Sequence, residues 1–421
     1  MPIDRGARQE YFKARRLAVE RLTEARRLFG TENPYASSAI VNPQQWTFIG
    51  PQPLTTGVNP LAGSILILTM DPHNSSTIYA VTFLGKLWKT TDAGTTWLPL
   101  SDAGPLVSIQ WLAVDPVLTN TLYAMDSGLL YISTNGGTSW TDLAAVTSNT
   151  TCSGEAFAIH PGVSGTWLVS EYCSGSPGTS SLYKTTNSCA SWTMVATIPG
   201  EITQIDFNAG TSTYAYAAGF LANAVVFETS TDTGTTWTAA IGSGSTQLPQ
   251  AAEYSFNRVR FGSAPTNPKT IYLHTETFTG DIMFNLYKSA DGGATWNTTG
   301  YKPEGQGPRT PGITAVDPTN ASIVYAGSLN LQRSNDGGAT WTEIYSKSSP
   351  TQLHSDQHAI IFTPDGNTAY EANDGGVWSA TTFRNAANPT WINLNNTFGT
   401  AEFEPTSGMD PTNANRSFGG F

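Results

Sequence analysis

Short apolar runs separated by turn residues recur in a fixed order from about residue 60 to residue 395. Each unit opens with an apolar run that ends in a Pro turn, as in ILILTMDP, IQWLAVDP and GITAVDP, and continues with a run containing Tyr-Ala, as in TIYAVTF and TLYAMDS. A third run such as KLWKTT leads into an octapeptide that ends in Trp, and this Trp begins a fourth run such as TTWLPLS. Short runs rich in β-branched and aromatic residues and bounded by turn residues are typical of strands. The pattern therefore predicts units of four antiparallel β-strands.

The octapeptide sets the period of the repeat. Six copies are TTDAGTTW, STNGGTSW, TTNSCASW, STDTGTTW, SADGGATW and SNDGGATW, and an eroded seventh precedes Trp391. Successive Trp residues are 43 to 59 residues apart, a period that indicates a propeller or a solenoid. Four strands per unit, repeated radially, are the blade of a β-propeller. We expect an all-β chain with seven recognisable blades and a partial eighth.

Each octapeptide is predicted to form the turn between the third and fourth strands of its blade, and its residues are interpreted as structural. Gly at the fifth position allows a positive φ angle, Asp or Asn at the third position accepts N–H groups of the same turn, and the Trp ring covers the hairpin. Where Cys189 replaces the Gly, the turn is expected to be strained or differently shaped. The residues assigned this structural role are Asp92, Gly94, Trp97, Asn135, Trp140, Asn187, Trp192, Asp232, Gly234, Trp237, Asp291, Gly293, Trp296, Asp336, Gly338 and Trp341.

The segments outside the repeat differ in composition. Residues 1–30 carry charges throughout and lack the apolar region of a signal peptide, and their rough helical stripe ends at Gly30, so they predict a charged N-terminal helix. Residues 31–45 are interpreted as a linker and residues 46–421 as the propeller. The segment FEPTSGMDPTNANRSFGGF begins an eighth unit without a third strand. We expect a chain truncated at its C-terminus; a seven-bladed ring with ragged ends is the alternative.

Charge and cysteine positions narrow the function classes. The net charge is −11, and because residues 1–30 hold eight Lys/Arg and four Asp/Glu, the remainder carries −15, which argues against a nucleic-acid partner. No apolar run approaches the roughly 18 residues needed to cross a membrane. Cys152 and Cys173 lie at equal distances from the predicted HPGVSG turn, and residues so placed face each other in an antiparallel hairpin. We predict a Cys152–Cys173 disulfide, an unpaired Cys189 and an oxidising compartment; two reduced thiols are the alternative.

The S/T-x-D-x-G-x-T-W pattern resembles the Asp-box (BNR) repeat of sialidases, xyloglucanase-type glycoside hydrolases and sortilin (VPS10)-like receptors. The resemblance covers about residues 46–421 and implies a propeller in a secreted or extracytoplasmic protein. It implies little about activity, because the repeat lies away from the functional face in these families.

The residues do not match the enzymes of this group closely. A sialidase needs an arginine cluster, but only six Arg follow residue 30 and there is no Phe-Arg-Ile-Pro stretch, so sialidase activity is not expected. Xyloglucanase-type enzymes carry a catalytic Asp after the second strand of the first blade, where this chain has Phe83 in VTFLGKLWK. The stretch most similar to that turn is ANDGGVW, which makes Asp374 the candidate catalytic carboxylate.

Candidate ligand-binding residues lie on the rim opposite the octapeptides, in the turns between second and third strands and in the links between blades. Loops around a propeller channel are where binding residues concentrate. Together they predict an acidic mouth suited to cationic or polyhydroxylated ligands, although each of them is also compatible with a solvated loop position. These residues are Asp126, Glu171, His274, Glu276, Tyr301 and Arg309.

The segment HSDQHAIIF with the following NDGGVW is the predicted functional centre. His354, Asp356 and His358 are spaced by two residues, so on an extended segment they share one face, and Asp374 is expected beside them. Two imidazoles and one or two carboxylates could bind Zn²⁺ or another divalent ion; a structural hydrogen-bond network and a catalytic role are the alternatives. No cofactor is required otherwise. The preferred interpretation is a binding or scaffold module for a glycan or polypeptide ligand, with an endo-acting glycoside hydrolase as the alternative.

Overall fold

In the computed structural model, the described residues are 54–56, 59–100, 105–106, 108–126, 128–143, 152–173, 178–211, 213–250, 256–277, 285–302, 312–344, 353–384, 386–387, 389–398, 408–409 and 417–418. They form seven four-stranded antiparallel sheets, and the strand order within each sheet follows the chain. The predicted all-β propeller with seven blades is confirmed. No helix among these residues is long and apolar enough to span a membrane.

The blades are given in chain order, from the first to the fourth strand of each. They are blade 1, β3–β6 (Ile65–Asp71, Asn74–Thr82, Leu87–Thr90, Leu98–Pro99); blade 2, β7–β10 (Ile109–Val114, Leu122–Asp126, Leu129–Ser133, Thr141–Asp142); blade 3, β11–β14 (Cys152–Ile159, Trp167–Cys173, Thr179–Thr185, Thr193–Pro199); blade 4, β15–β18 (Glu201–Phe207, Ala215–Leu221, Ala224–Ser230, Thr238–Ala239); blade 5, β19–β22 (Phe256–Ala264, Asn267–Thr277, Asn285–Ser289, Asn297–Thr298); blade 6, β23–β26 (Ile313–Asp317, Asn320–Gly327, Leu331–Ser334, Thr342–Glu343); and blade 7, β27–β30 (Gln357–Phe362, Ala369–Asn373, Gly376–Ala380, Ile392–Asn393). A 3₁₀ turn at Gly244–Thr246 lies between blades 4 and 5. Two further pairs are β1–β2 (Leu54–Thr56, Asn59–Leu61) and β31–β32 (Gly408–Met409, Ser417–Phe418).

The seven blades close into a ring. The first strand of each blade contacts the first strand of the next, including blade 7 with blade 1. At this last junction the Trp97 indole donates to the Leu394 carbonyl at 3.1 Å, and the Phe398 ring packs against Trp88 and Trp97 with centroid distances of 4.9 and 4.6 Å. The predicted partial eighth blade is not confirmed, because blades 7 and 1 are direct neighbours. The predicted N-terminal helix and linker lie outside the described residues.

The octapeptides form the turns between third and fourth strands. In residues 289–296 the Ser289 hydroxyl donates to Asp291 and accepts the Gly293 N–H, both at 2.8 Å, while Asp291 accepts the Thr295 N–H at 2.9 Å and its hydroxyl at 2.6 Å. Five other blades repeat this pattern, and Asn replaces Asp in two of them by donating to the Ser hydroxyl. These bonds are local to the turn, so the octapeptide acts as a structural clip.

Cys189 takes the place of the fifth-position Gly without reshaping its turn. Its φ is 72°, close to the 74–95° of the glycines at this position. Cys189 thus adopts a left-handed conformation that is unfavourable for a residue with a Cβ. The cysteine is buried and free, and burial raises the pKa of its thiol to about 12.

In the same blade the register pairs Cys152 with Cys173, and Cys173 is disulfide-bonded.

A cation on the third strand links several clips to the next blade. Lys89 and Lys288 donate to the carbonyls of Gly136 and Gly337, at 3.3 and 2.9 Å. In blade 6 the equivalent residue is Arg333, which donates to three backbone carbonyls at residues 383–386. Arg333 therefore anchors residues 383–386, which lie at the start of the eroded seventh octapeptide before Trp391.

Candidate functional site

The two rims of the propeller differ in construction. On one rim the octapeptide turns bond to the start of the second strand, as in Gly292 N–H to the Lys269 carbonyl at 3.0 Å. On the opposite rim, turns between second and third strands meet the links between blades, as in Phe83 N–H to the Ser64 carbonyl at 2.9 Å. The side chains described next lie on this opposite rim, at the junction of blades 7 and 1.

His358, Asp374 and Ser64 are in contact at this junction. The His358 Nε2 lies 2.6 Å from the Asp374 Oδ1 and 3.3 Å from the Ser64 Oγ. The His358 side chain is 5% exposed, whereas that of Asp374 is 41% exposed. Ser64 belongs to blade 1 and the other two residues to blade 7, so the cluster spans the closing junction of the ring and presents one carboxylate to solvent.

A β-bulge brings His358 to Asp374. The register between the first two strands of blade 7 shifts between Gln357 and Ala359, which leaves His358 as the extra residue and re-aims its side chain. Gly375 allows the chain before this strand to approach closely, because a Cβ at that position would lie 2.7 Å from the His354 Cβ. The position of the cluster thus depends on strand pairing that residue spacing does not reveal.

The electrostatics separate the two carboxyl groups of this segment. Burial opposes ionisation of Asp374, but the His358 hydrogen bond and charge outweigh it and lower the pKa of this carboxyl. The pKa of Asp356 is raised, first by burial and then by repulsion from Asp374. Opposite shifts on neighbouring carboxyls are the pattern by which one group becomes the acid and the other the ionised partner.

The cluster is not a nucleophilic triad. In such a triad Ser and Asp contact different nitrogens of the imidazole, so that the proton can move from the nucleophile while the ring stays oriented. Here both Ser64 and Asp374 contact Nε2, and Nδ1 of His358 is buried and has no hydrogen-bond partner among the described residues. A hydrogen on Nε2 can be donated to Asp374, so His358 orients Asp374 rather than activating Ser64.

An exposed aromatic residue, Phe83, is tied to this cluster through its backbone. Phe83 and Leu84 are 43% and 41% exposed in the tight turn after the second strand of blade 1, which is closed by Thr82 N–H to the Lys86 carbonyl at 2.9 Å. Phe83 is tied through its backbone to Ser64, the residue that contacts His358. In the sequence Phe83 stood out only as the residue in place of a catalytic Asp; its aromatic side chain at the tip of a rim turn was the signal that could have identified it.

The metal triad predicted from the spacing of His354, Asp356 and His358 is not assembled. Residues 353–356 precede the strand, and Asp356 has a φ of 70°, so side chains two positions apart do not share a face. The His354 Nδ1 instead contacts the Ser355 carbonyl at 3.0 Å. Among the described residues there is no group of three or more His, Cys, Asp or Glu side chains arranged to hold a metal ion.

The other predicted rim residues are scattered and largely buried. Asp126 accepts the Ser108 N–H at 2.7 Å and closes its own blade, and Glu171 is buried in the second strand of blade 3. Tyr301 was expected in a binding loop, but it is buried and its ring packs edge-on against Trp341 of the next octapeptide at 5.0 Å. Arg309 lies outside the described residues. The expected acidic mouth is therefore not formed by Asp126, Glu171 and Glu276, which are all buried.

His274 and Glu276 form a second cluster between blades 5 and 6. The His274 Nδ1 lies 2.7 Å from the Thr314 hydroxyl, and its Nε2 lies 3.3 Å from Glu276. Glu276 accepts the Gly312 N–H at 2.6 Å and lies 3.5 Å from Arg258. Burial lowers the pKa of His274, while Arg258 and His274 outweigh burial and lower the pKa of Glu276.

Comparison with known proteins identifies the fold. No protein-family model matches the chain, and no curated protein matches it. Solved structures do: an ancestral GH74 enzyme (TM-score 0.62, 17% identity, 82% of this chain and 47% of that one), the GH74 xyloglucanase of Xanthomonas campestris (TM-score 0.59, 19% identity, 79% and 55%), and YCF48 bound to D1 peptide (TM-score 0.52, 15% identity, 76% and 91%).

These similarities extend only to architecture. The chain spans about half the length of the two GH74 enzymes that it matches. At identities of 15–19% a shared propeller carries many unrelated functions. The comparisons therefore establish a seven-bladed propeller with glycoside-hydrolase-like neighbours and no particular activity.

Proposed function

We propose that this propeller is a glycan-binding module of an extracytoplasmic protein, and that the ligand binds on the opposite rim at the junction of blades 7 and 1. The observation that carries the proposal is an exposed carboxylate held in place at a junction to which an exposed aromatic residue is tied through its backbone. Asp374 is oriented by His358 at 2.6 Å, and Phe83 is linked to the same cluster through Ser64.

This combination suits a polyhydroxylated ligand. An ionised carboxylate accepts hydrogen bonds from sugar hydroxyls, and such charge-assisted bonds are among the stronger ones. A flat aromatic side chain covers the apolar face of a sugar ring and contributes through the area that it buries. GH74 xyloglucanase as a structural neighbour supports a glycan over other ligands, whereas a propeller neighbour bound to a peptide makes a polypeptide the competing ligand.

A panel of soluble β-glucans, xyloglucan and xylan tests the proposal by affinity electrophoresis. We expect retardation by at least one polymer and a loss of about fivefold to thirtyfold in affinity for Phe83→Ala, from roughly 1–2 kcal/mol of buried aromatic area. Leu98→Ala is the matched control, because Leu98 is an exposed apolar residue on the fourth strand of the same blade. No retardation by any polymer, or equal losses for the two variants, would refute the site.

Hydrolysis is the second candidate function, and the opposite pKa shifts of Asp356 and Asp374 favour it. Glycoside hydrolysis uses one carboxylic acid and one carboxylate flanking the scissile bond. The same polymers are incubated with the protein and assayed for new reducing ends. Release that is abolished by both Asp374→Asn and Asp356→Asn would establish the enzyme, and binding without release would establish the module.

A further inference from the structure

Among the described residues, the cluster between blades 5 and 6 carries more positive than negative charge. Arg258 and Arg260 alternate on the first strand of blade 5, so both face the same side of the sheet. The register places Glu276 opposite Arg258 and His274 opposite Arg260. Glu276 and His274 contact Gly312 and Thr314, which shows that this face is turned toward blade 6.

Arg260 is the unusual member of this cluster. Within the described residues the ion pairs of the cluster join Glu276 to Arg258 and to His274, and none of them includes Arg260. The Arg260 Nε is buried and has no hydrogen-bond partner in the described part of the chain, although a guanidinium carries five donors in a fixed fork. Burial and repulsion from Arg258 lower the pKa of Arg260 to about 10, so it is still charged at neutral pH.

The charges of the cluster can be counted. Two guanidinium groups face one carboxylate, and His274 is neutral because burial lowers its pKa. Within the described part of the cluster one positive charge is left over, in a chain whose net charge is −11. Arg260 is partly buried. A partly buried cation without a counter-ion is unfavourable, and a planar anion that bonds in bidentate fashion is its best complement.

We propose that Arg258 and Arg260 form a subsite for a single carboxylate, and that on a glycan ligand this group is the carboxylate of a uronate residue. The subsite lies near the start of the first strand and the end of the second strand of blade 5, and therefore on the same rim as Asp374. The identity of the ligand rests on the proposed glycan binding; the carboxylate specificity rests on the arginines alone. A carboxylate here would supply the missing acceptor for Arg260.

The inference is tested with two trisaccharides that differ in one group, cellotriose and the same sugar ending in glucuronate, measured by calorimetry. Wild type is expected to bind the glucuronate form with about tenfold or more higher affinity, because it gains one charge-assisted bidentate contact. Arg260→Met should remove this preference while the affinity for cellotriose stays within about twofold. Lys184→Gln is the matched control, since it removes one cation on the octapeptide rim and should keep the preference. Equal affinity of wild type for both sugars, or a preference that survives in Arg260→Met, would overturn the proposal.

A second measurement separates this inference from the proposed function. Glucuronate itself should raise the midpoint of thermal unfolding of wild type but not of Arg260→Met, whereas glucose should raise neither. Without glucuronate, Arg260→Met should unfold at the same or a higher temperature, because it loses a partly buried charge that has no ion pair among the described residues. If neither trisaccharide binds while the glucuronate effect persists, the glycan function fails and the subsite stands. If glucuronate has no effect, or if a peptide binds through its free C-terminal carboxylate in its place, the uronate subsite fails.

Discussion

Two adjacent glycines in the fifth octapeptide turn offer a stringent test of how the clips hold neighbouring blades together. Gly292 and Gly293 have φ values of 79° and 95°, so Ala at either position would be destabilised by the left-handed conformation. Their surroundings differ. A Cβ on Gly292 would meet only the Lys269 Cγ, at 3.8 Å, whereas a Cβ on Gly293 would lie 2.6 Å from both the Cβ and the carbonyl oxygen of Ala240 in blade 4.

The magnitudes follow from these distances. The left-handed conformation costs an Ala residue roughly 1–2 kcal/mol, and this is the whole expected loss of unfolding free energy for Gly292→Ala. Gly293→Ala adds a clash with backbone, and overpacking of this kind costs a further 1–3 kcal/mol or so. The displaced Ala240 carbonyl is also the acceptor of the Trp296 indole N–H at 2.8 Å, so the clash disturbs the anchor between blades 4 and 5.

Equilibrium unfolding in guanidinium chloride, followed by tryptophan fluorescence, measures both variants. Gly293→Ala should lower the unfolding free energy by about 1–3 kcal/mol more than Gly292→Ala. Ala93, Ser188 and Thr233 occupy the position of Gly292 in other blades at φ values of 54–63°, so this position accepts a Cβ. Equal losses for the two variants would refute the claim that the fifth position is a contact point between blades.

Two further predictions concern buried and hydrogen-bonded carboxyls. Asp291→Ala should cost about 1–2 kcal/mol and Asp291→Asn less than about 1, since Asn135 and Asn187 keep the same contacts. Hydrogen bonding to Thr295 outweighs burial and lowers the pKa of Asp291. The stability that the ionised Asp291 contributes is therefore present above its unfolded pKa and is lost as the pH falls through its folded pKa. When the unfolding midpoint is measured against pH, it should fall less on acidification in Asp291→Asn than in wild type. Burial raises the pKa of Glu371 well above its usual range. The folded state therefore keeps its full stability at acid pH, where Glu371 is protonated, and loses stability as the pH rises above the unfolded pKa of this carboxyl. Glu371→Gln should therefore be more stable than wild type at pH 8 and equal to it at pH 4, and a difference of the opposite sign would show that the carboxyl is ionised in the folded state.

Local patterns made much of the fold predictable from sequence. The octapeptide bonds join residues no more than four apart, so their residue types are visible in a single short string and their period gives the blades. The opposing positions of Cys152 and Cys173 follow from the symmetry of one hairpin. These features depend on neighbours in the chain and not on distant packing.

The candidate site was harder to predict because it depends on pairing between strands and between blades. The bulge at His358 and the positive φ of Asp356 break the alternation on which the metal triad was based. The fourth strand of blade 5 is only Asn297–Thr298, so Tyr301 reaches the next octapeptide instead of a free loop. That Arg260 lies opposite His274 and not opposite the carboxylate of Glu276 is known only from the register of blade 5.

The central claim is that Asp374, held by His358, binds the ligand, and one comparison tests it most directly. The affinity of wild type for the glycan retarded most strongly in the panel is measured by calorimetry beside those of Asp374→Asn and Asp365→Asn. Asp365 is an exposed Asp of the same blade in the turn between the first and second strands, on the octapeptide rim, and it controls for the loss of one charge. Asp374→Asn should bind about tenfold or more weakly, from the loss of charge-assisted bonds worth roughly 1.5–3 kcal/mol, while Asp365→Asn binds like wild type. Wild-type affinity in a folded Asp374→Asn variant would contradict the account.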